Sequence, residues 1–105
     1  TFEDTDFCFA AKEKGFTTYY CPLAVAYHQI PFDPKAAMER LLERSYWVGR
    51  NRYLFLRKFH LFSLVSYLFI PVYALYYLYL ALKYHRTRVF GQYVRGVLAG
   101  LTAKV

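Results

Sequence analysis

From Lys35 to Phe59 the polar and apolar positions separate when successive residues are placed at the ~100° step of an α-helix. Glu39, Arg40, Glu43, Arg44, Arg50, Asn51, Arg57 and Lys58 share one side. Met38, Leu41, Leu42, Tyr46, Val48, Tyr53, Phe55, Leu56 and Phe59 share the other. This pattern predicts an amphipathic helix over residues 35 to 59, suited to a membrane surface or to a groove on a partner. Three residues break it: Trp47 and Leu54 project from the polar side, and Arg52 projects from the apolar side. Arg52 has two readings. The preferred one is snorkelling, with the stem along lipid and the guanidinium among headgroups; the other is a bidentate clamp on a lipid-linked phosphate.

Leu61 to Leu82 then runs without a charge. At ~1.5 Å per residue it is long enough to cross a ~30 Å hydrocarbon core. Pro71 stands at its centre and removes one helical hydrogen bond, so residues 60 to 83 are expected either to span as a kinked helix or to turn back as a re-entrant hairpin. After it, residues 84 to 105 form a basic tail in which Val89, Phe90, Tyr93, Val94, Val97, Leu98 and Leu101 give a second apolar face. Gly91, Gly96 and Gly100 weaken that tail as a helix.

Residues 1 to 34 follow a different pattern. Acidic residues at its start, the apolar Phe7, Cys8 and Ala11, and a following Gly15 predict a short helix over residues 4 to 14, with Gly15 as a left-handed cap. Phe16 to Tyr20 and Leu23 to Tyr27 are aromatic and β-branched, separated by Pro22, and read as two short strands. Pro31 and Pro34 mark the boundary with the amphipathic segment.

Charge divides the chain at the same place. Residues 1 to 34 carry a net charge of −3 and residues 35 to 105 a net of +10. Aromatic content is 22%, and the twelve Tyr concentrate after residue 45, where amphipathic rings suit a headgroup region. Membrane lipids are therefore the expected partner. Nucleic acid is not, because its binders line Lys and Arg along one soluble face instead of bracketing an apolar run. The bracketing charges, Arg44, Arg50, Arg52, Arg57 and Lys58 before the run and Lys83, Arg86, Arg88, Arg95 and Lys104 after it, are balanced, which leaves orientation unassigned and leans toward a re-entrant element. Cys8 and Cys21 have no metal-ligand spacing and read as reduced, structural thiols. With Thr at position 1 and no signal-peptide pattern, the chain reads as part of something longer.

The chemistry sits in the cluster Glu3-Asp4-Thr5-Asp6 and in His28, which follows Asp4 by 24 residues. On residue chemistry alone, acidic residues at a helix start are caps, and a single His is packed or exposed. The run EDTDFCFAAKEKGFTTYYCPLAVAYHQ, however, closely resembles a segment of family 2 glycosyltransferases. In outline that segment is an acidic Glu-Asp-x-Asp cluster, a helix ended by Gly and an aromatic residue, a strand, then Pro-x-Ala-x-x-x-His. YWVGRNRYLFLRK (residues 46 to 58) is similar to the Arg-Asn-containing juxtamembrane segment of bacterial members that build polysaccharides or lipid-linked sugars. Residues 95 to 104 resemble their basic tail. Ala10 and Ala11 depart from the pattern by replacing an Arg that often follows the acidic cluster.

The resemblance implies an α/β fold for residues 1 to 34, as the C-terminal end of a GT-A, Rossmann-like catalytic domain, followed by amphipathic and transmembrane α-helices. It implies an inverting transfer from a nucleotide-sugar donor to a polyprenyl-linked or glycan acceptor, at the cytoplasmic face of a bacterial inner membrane. Asp4 is then the catalytic base. Asp6 is its rival or a cap, and Glu3 fixes Asp4 or touches acceptor. Trp47, Arg50, Asn51 and Arg52 are acceptor- or lipid-binding candidates, and His28 is a candidate ligand for Mg²⁺ or Mn²⁺. No nucleotide-binding βαβ array precedes the cluster, so the segment alone is expected to be inactive. A hydrolase, which needs two separated carboxylates around a water, is set aside. The alternative from another class is a small non-enzymatic adaptor that docks a partner through its acidic head and basic helix.

Overall fold

The computed structural model describes residues 2–61 and 63–105; Thr1 and Phe62, which fall in the expected head and apolar run, lie outside the described residues. Five α-helices follow one another: α1 (Glu3–Glu13), α2 (Pro34–Glu43), α3 (Ser45–Lys58), α4 (Leu64–Lys83) and α5 (Thr87–Thr102). Among the described residues there is no strand. The α/β, Rossmann-like expectation is therefore overturned. Residues 16–20 and 23–27 have strand composition, but a strand is stable only when neighbours take up its backbone hydrogen bonds. Here the segment lies exposed, with Tyr20 and Leu23 each 89% accessible.

Local chemistry explains the helix boundaries. α1 ends as the sequence predicts: Gly15 has φ +85°, its N–H donates to Lys12 O at 3.0 Å, and the Phe16 N–H donates to Ala11 O at 3.0 Å. This is the paired closure of a Schellman motif, which needs a left-handed residue. α2 starts at the expected boundary, with Pro34 in its first turn and the Asp33 side chain accepting from Lys35 N–H at 3.0 Å. The helix expected over residues 35 to 59 is interrupted at Arg44, where φ −93° and ψ 8° separate α2 from α3.

α4 is one continuous helix through Pro71. The chain does not turn back at Pro71, where a proline removes a single helical hydrogen bond and the helix continues. Its 20 residues make it the one helix among the described residues long and apolar enough to cross a membrane. Only Tyr77, Leu80 and Ala81 of this helix are buried, while Leu64 (77% accessible), Leu68, Val72 and Leu75 are uncovered. A core helix of a soluble domain would be covered on that face.

The core lies where α3, α4 and α5 meet. α5 turns back along α4, and α3 runs beside α5 in the same direction, from the Ser45 Oγ to Gln92 Oε1 bond (3.3 Å) to the Arg57 bonds at the far end. The tail forms a full helix despite its glycines because two of them lie in this contact. A Cβ on Gly96 would strike the Tyr46 carbonyl, and one on Gly100 would strike the Arg50 carbonyl. Gly49 returns the approach from α3: a Cβ there would lie 2.7 Å from Tyr93 O. Small residues thus let two backbones touch, an arrangement common between membrane helices. Arg57 Nη1 then donates to Gly100 O (3.1 Å) and Ala103 O (2.7 Å), placing a cation on the carbonyl end of α5.

Tyr53, Tyr77 and Tyr93, each 1% accessible, fill the centre. The Tyr77 and Tyr93 rings stack at 4.4 Å and 13°. Burial pushes the Tyr53 and Tyr93 hydroxyls above the usual phenol range, Tyr93 further because the Tyr53 hydroxyl faces it.

Candidate functional site

The acidic turn is held on α3. Phe9 of α1 meets Phe55 edge-on (5.1 Å, 81°) and Phe59 at 5.3 Å, and Phe2 meets Phe55 at 5.6 Å. Alongside, Lys58 Nζ donates to both oxygens of Asp6 at 2.8 and 2.7 Å. Both partners are more than a third exposed, so that pair is worth at most ~1 kcal/mol, and the three aromatic contacts, each ~0.5–1.5 kcal/mol beyond burial, hold α1 in place.

Docking α1 in this way creates an open cavity of about 410 Å³ between α1 and α3, lined by Glu3, Asp6, Asn51, Lys58, Leu54 and the Phe2–Phe55 pair. It unites residues 45 or more positions apart in the sequence. Asn51 accepts from Arg50 Nη1 at 3.0 Å, and the Arg50 guanidinium lies 5.8 Å from the Trp47 ring centre. Trp47, Arg50 and Asn51 therefore form one linked run on α3 beside the acidic turn. Asp4 is exposed and, among the described residues, makes no ion pair, whereas Asp6 is committed to Lys58. Of the two rivals, Asp4 is the exposed one and stands outside the cavity lining, whereas Asp6 lines it.

Two expected placements are corrected. Arg52 does not snorkel outward. Its guanidinium lies 3.7 Å from the ring centre of Tyr73 on α4, because the residue occupies the side of α3 that faces α4, away from Arg50. Cys8 and Cys21 are unpaired as expected but exposed, not packed, since α1 turns Cys8 outward and Cys21 lies in the uncovered segment.

His28 lies in the same exposed segment, and among the described residues no three His, Cys, Asp or Glu side chains gather. Asp6, one of the two carboxylates that line the cavity, is already paired with the Lys58 ammonium. These residues do not fit a Mg²⁺ or Mn²⁺ site, which takes several oxygen ligands around the ion.

The structure adds two residues to the sequence reading. Lys58 was one cation among several on the polar face, and only the tertiary fold pairs it with Asp6. Tyr73 sits inside the apolar run, where no sequence period connects it to Arg52. No protein-family model, curated protein or solved structure matches the chain.

Proposed function

We propose that this chain is the acceptor-side, membrane-docked part of a family 2 inverting glycosyltransferase working at the cytoplasmic face of a bacterial inner membrane. The proposal does not rest on an α/β fold, which the described residues lack. Its observation is the α1–α3 cavity, in which Glu3 and Asp6 of the acidic turn that resembles the family's catalytic segment face Asn51, the partner of Arg50, directly before the apolar helix α4; Asp4 stands exposed on the same turn, outside the cavity lining.

In this reading the acceptor hydroxyl approaches Asp4, whose open carboxylate takes the proton as the oxygen bonds to the anomeric carbon and the bond from that carbon to the donor's diphosphate breaks, the nucleoside diphosphate leaving with the electron pair. Glu3 and Asn51 line the cavity for the acceptor sugar or phosphate. Asp6, tied to Lys58, fixes the turn. Trp47 and Arg50 sit at the cavity's flank, where an aromatic plane and a guanidinium suit a sugar face and a phosphate. No step through Mg²⁺ or Mn²⁺ is assigned to this chain.

The test is a panel of radiolabelled sugar nucleotides offered to the full-length protein in membrane vesicles, with label counted in the lipid extract and in polymeric glycan. Label transfer from one donor is the expected result. A protein that transfers from none of them, yet captures a partner through its basic helix, would favour the adaptor.

A further inference from the structure

A second cavity, of about 300 Å³, lies on the opposite flank of α3, between that helix and α4. Phe55, Leu56, Phe69 and Tyr73 wall it, with Arg52 and Ser66 as its polar members besides Tyr hydroxyls. It shares the Phe2 and Phe55 rings with the acidic cavity but no charged residue. No carboxylate lines it.

The Arg52 guanidinium lies over the Tyr73 ring, 3.7 Å from its centre, and its Nη1 is buried without a hydrogen-bond partner. A guanidinium carries its charge at every pH a protein survives and presents its N–H groups in a rigid fork. The Tyr73 ring contacts the guanidinium through its π-cloud and offers Nη1 no acceptor there. A buried, charged N–H without an acceptor is costly, and native structures complete such groups with an anion or another acceptor.

We propose that this cavity binds the phosphate headgroup of an apolar-tailed lipid, with Arg52 as the phosphate ligand. Phosphate matches the fork in shape and charge. The apolar tail follows from the walls: Phe69, which closes the cavity, also belongs to the exposed stripe Val65–Phe69–Val72 along α4, spaced i, i+4, i+7 on one helix face. A headgroup at Arg52 leaves its chain lying on that stripe, along the helix long enough to cross a bilayer. The site is independent of sugar transfer, because neither Asp4 nor the acidic cavity takes part. The phosphate has two sources, a bulk anionic phospholipid or an isoprenoid phosphate, which share this chemistry.

Native mass spectrometry of the full-length protein in mild detergent tests the site, with dioleoyl phosphatidic acid, a long-chain polyprenyl phosphate, uncharged dioleoylglycerol and inorganic phosphate as probes. Wild type and the exposed-tail control Arg88→Gln retain one phosphate lipid and no dioleoylglycerol. Arg52→Gln reduces retention at least about tenfold, the loss expected when a charge-assisted bond is removed. Leu56→Trp, which fills the cavity while keeping the charge, does the same. Equal retention of both phosphate lipids assigns the site to bulk phospholipid, and preference for the polyprenyl phosphate assigns it to the isoprenoid; either supports it. Unchanged retention by Arg52→Gln and Leu56→Trp overturns the proposal, as does displacement of the lipid by equimolar inorganic phosphate.

Discussion

Two of the three histidines do structural work that composition does not suggest. His60 and His85 take φ 54° and 52° just after α3 and α4. In each case the next N–H reaches back five residues: Leu61 to Leu56 O and Arg86 to Ala81 O, both 2.8 Å. These are the same closures that Gly15 makes for α1, performed by a residue with a Cβ, for which the left-handed region costs ~1–2 kcal/mol. His85→Gly should therefore stabilise the α4–α5 turn by about 0.5–1 kcal/mol, after the extra chain entropy of glycine is offset. His85→Val should destabilise it, and denaturant midpoints of the three proteins in detergent check the order. Tyr77 shows the complementary effect. Its hydroxyl is buried without a partner while its ring stacks on Tyr93. Tyr77→Phe should leave the midpoint unchanged or raised, since a lone buried hydroxyl contributes nothing favourable, whereas Tyr77→Ala should cost about 3–5 kcal/mol in lost packing.

The elements were legible to different degrees. Gly15, Pro34 and the charge-free run were readable because each acts locally: a left-handed cap, a first-turn proline and a stretch without charges carry their meaning in adjacent residues. The pattern over residues 35 to 59 showed the correct faces but not the break at Arg44, because both halves keep a helical period. The strand reading failed because β composition cannot supply the partner strands on which it depends. Gly96 and Gly100 misled for a related reason: their intrinsic cost to a helix is visible in the sequence, and the backbone contact with α3 that outweighs it is not. Substitution separates the two effects. Gly96→Ala should destabilise the α3–α5 contact by about 1–3 kcal/mol, because a Cβ there meets a backbone carbonyl that cannot yield. Gly91→Ala, with no atom within 4 Å of the added carbon, should stabilise α5 by up to ~1 kcal/mol. If both destabilise alike, the close approach is not what the glycines serve.

At the scale of the whole molecule, an exposed apolar helix is flanked by basic, aromatic segments, and an acidic turn is pinned to their outer edge. The division into an acidic head and a basic, apolar body was visible in the charge pattern. The head's attachment was not, because Phe9, Phe55 and Phe59 come together only in the tertiary fold, as do Asp6 and Lys58. That attachment separates the site residues into two groups: Glu3, Asp6 and Asn51 around one cavity, and Arg52 in another behind α3. It also divides the carboxylates by task, with Asp6 as a tether and Asp4 left open. The most direct measurement of the central claim is sugar transfer by the full-length protein carrying Asp4→Asn, compared with wild type and Asp6→Asn at equal membrane content and equal helix signal. Loss of a general base predicts a fall in turnover of about 10²–10⁴-fold for Asp4→Asn, and a smaller loss for Asp6→Asn. Wild-type turnover by Asp4→Asn would contradict the account.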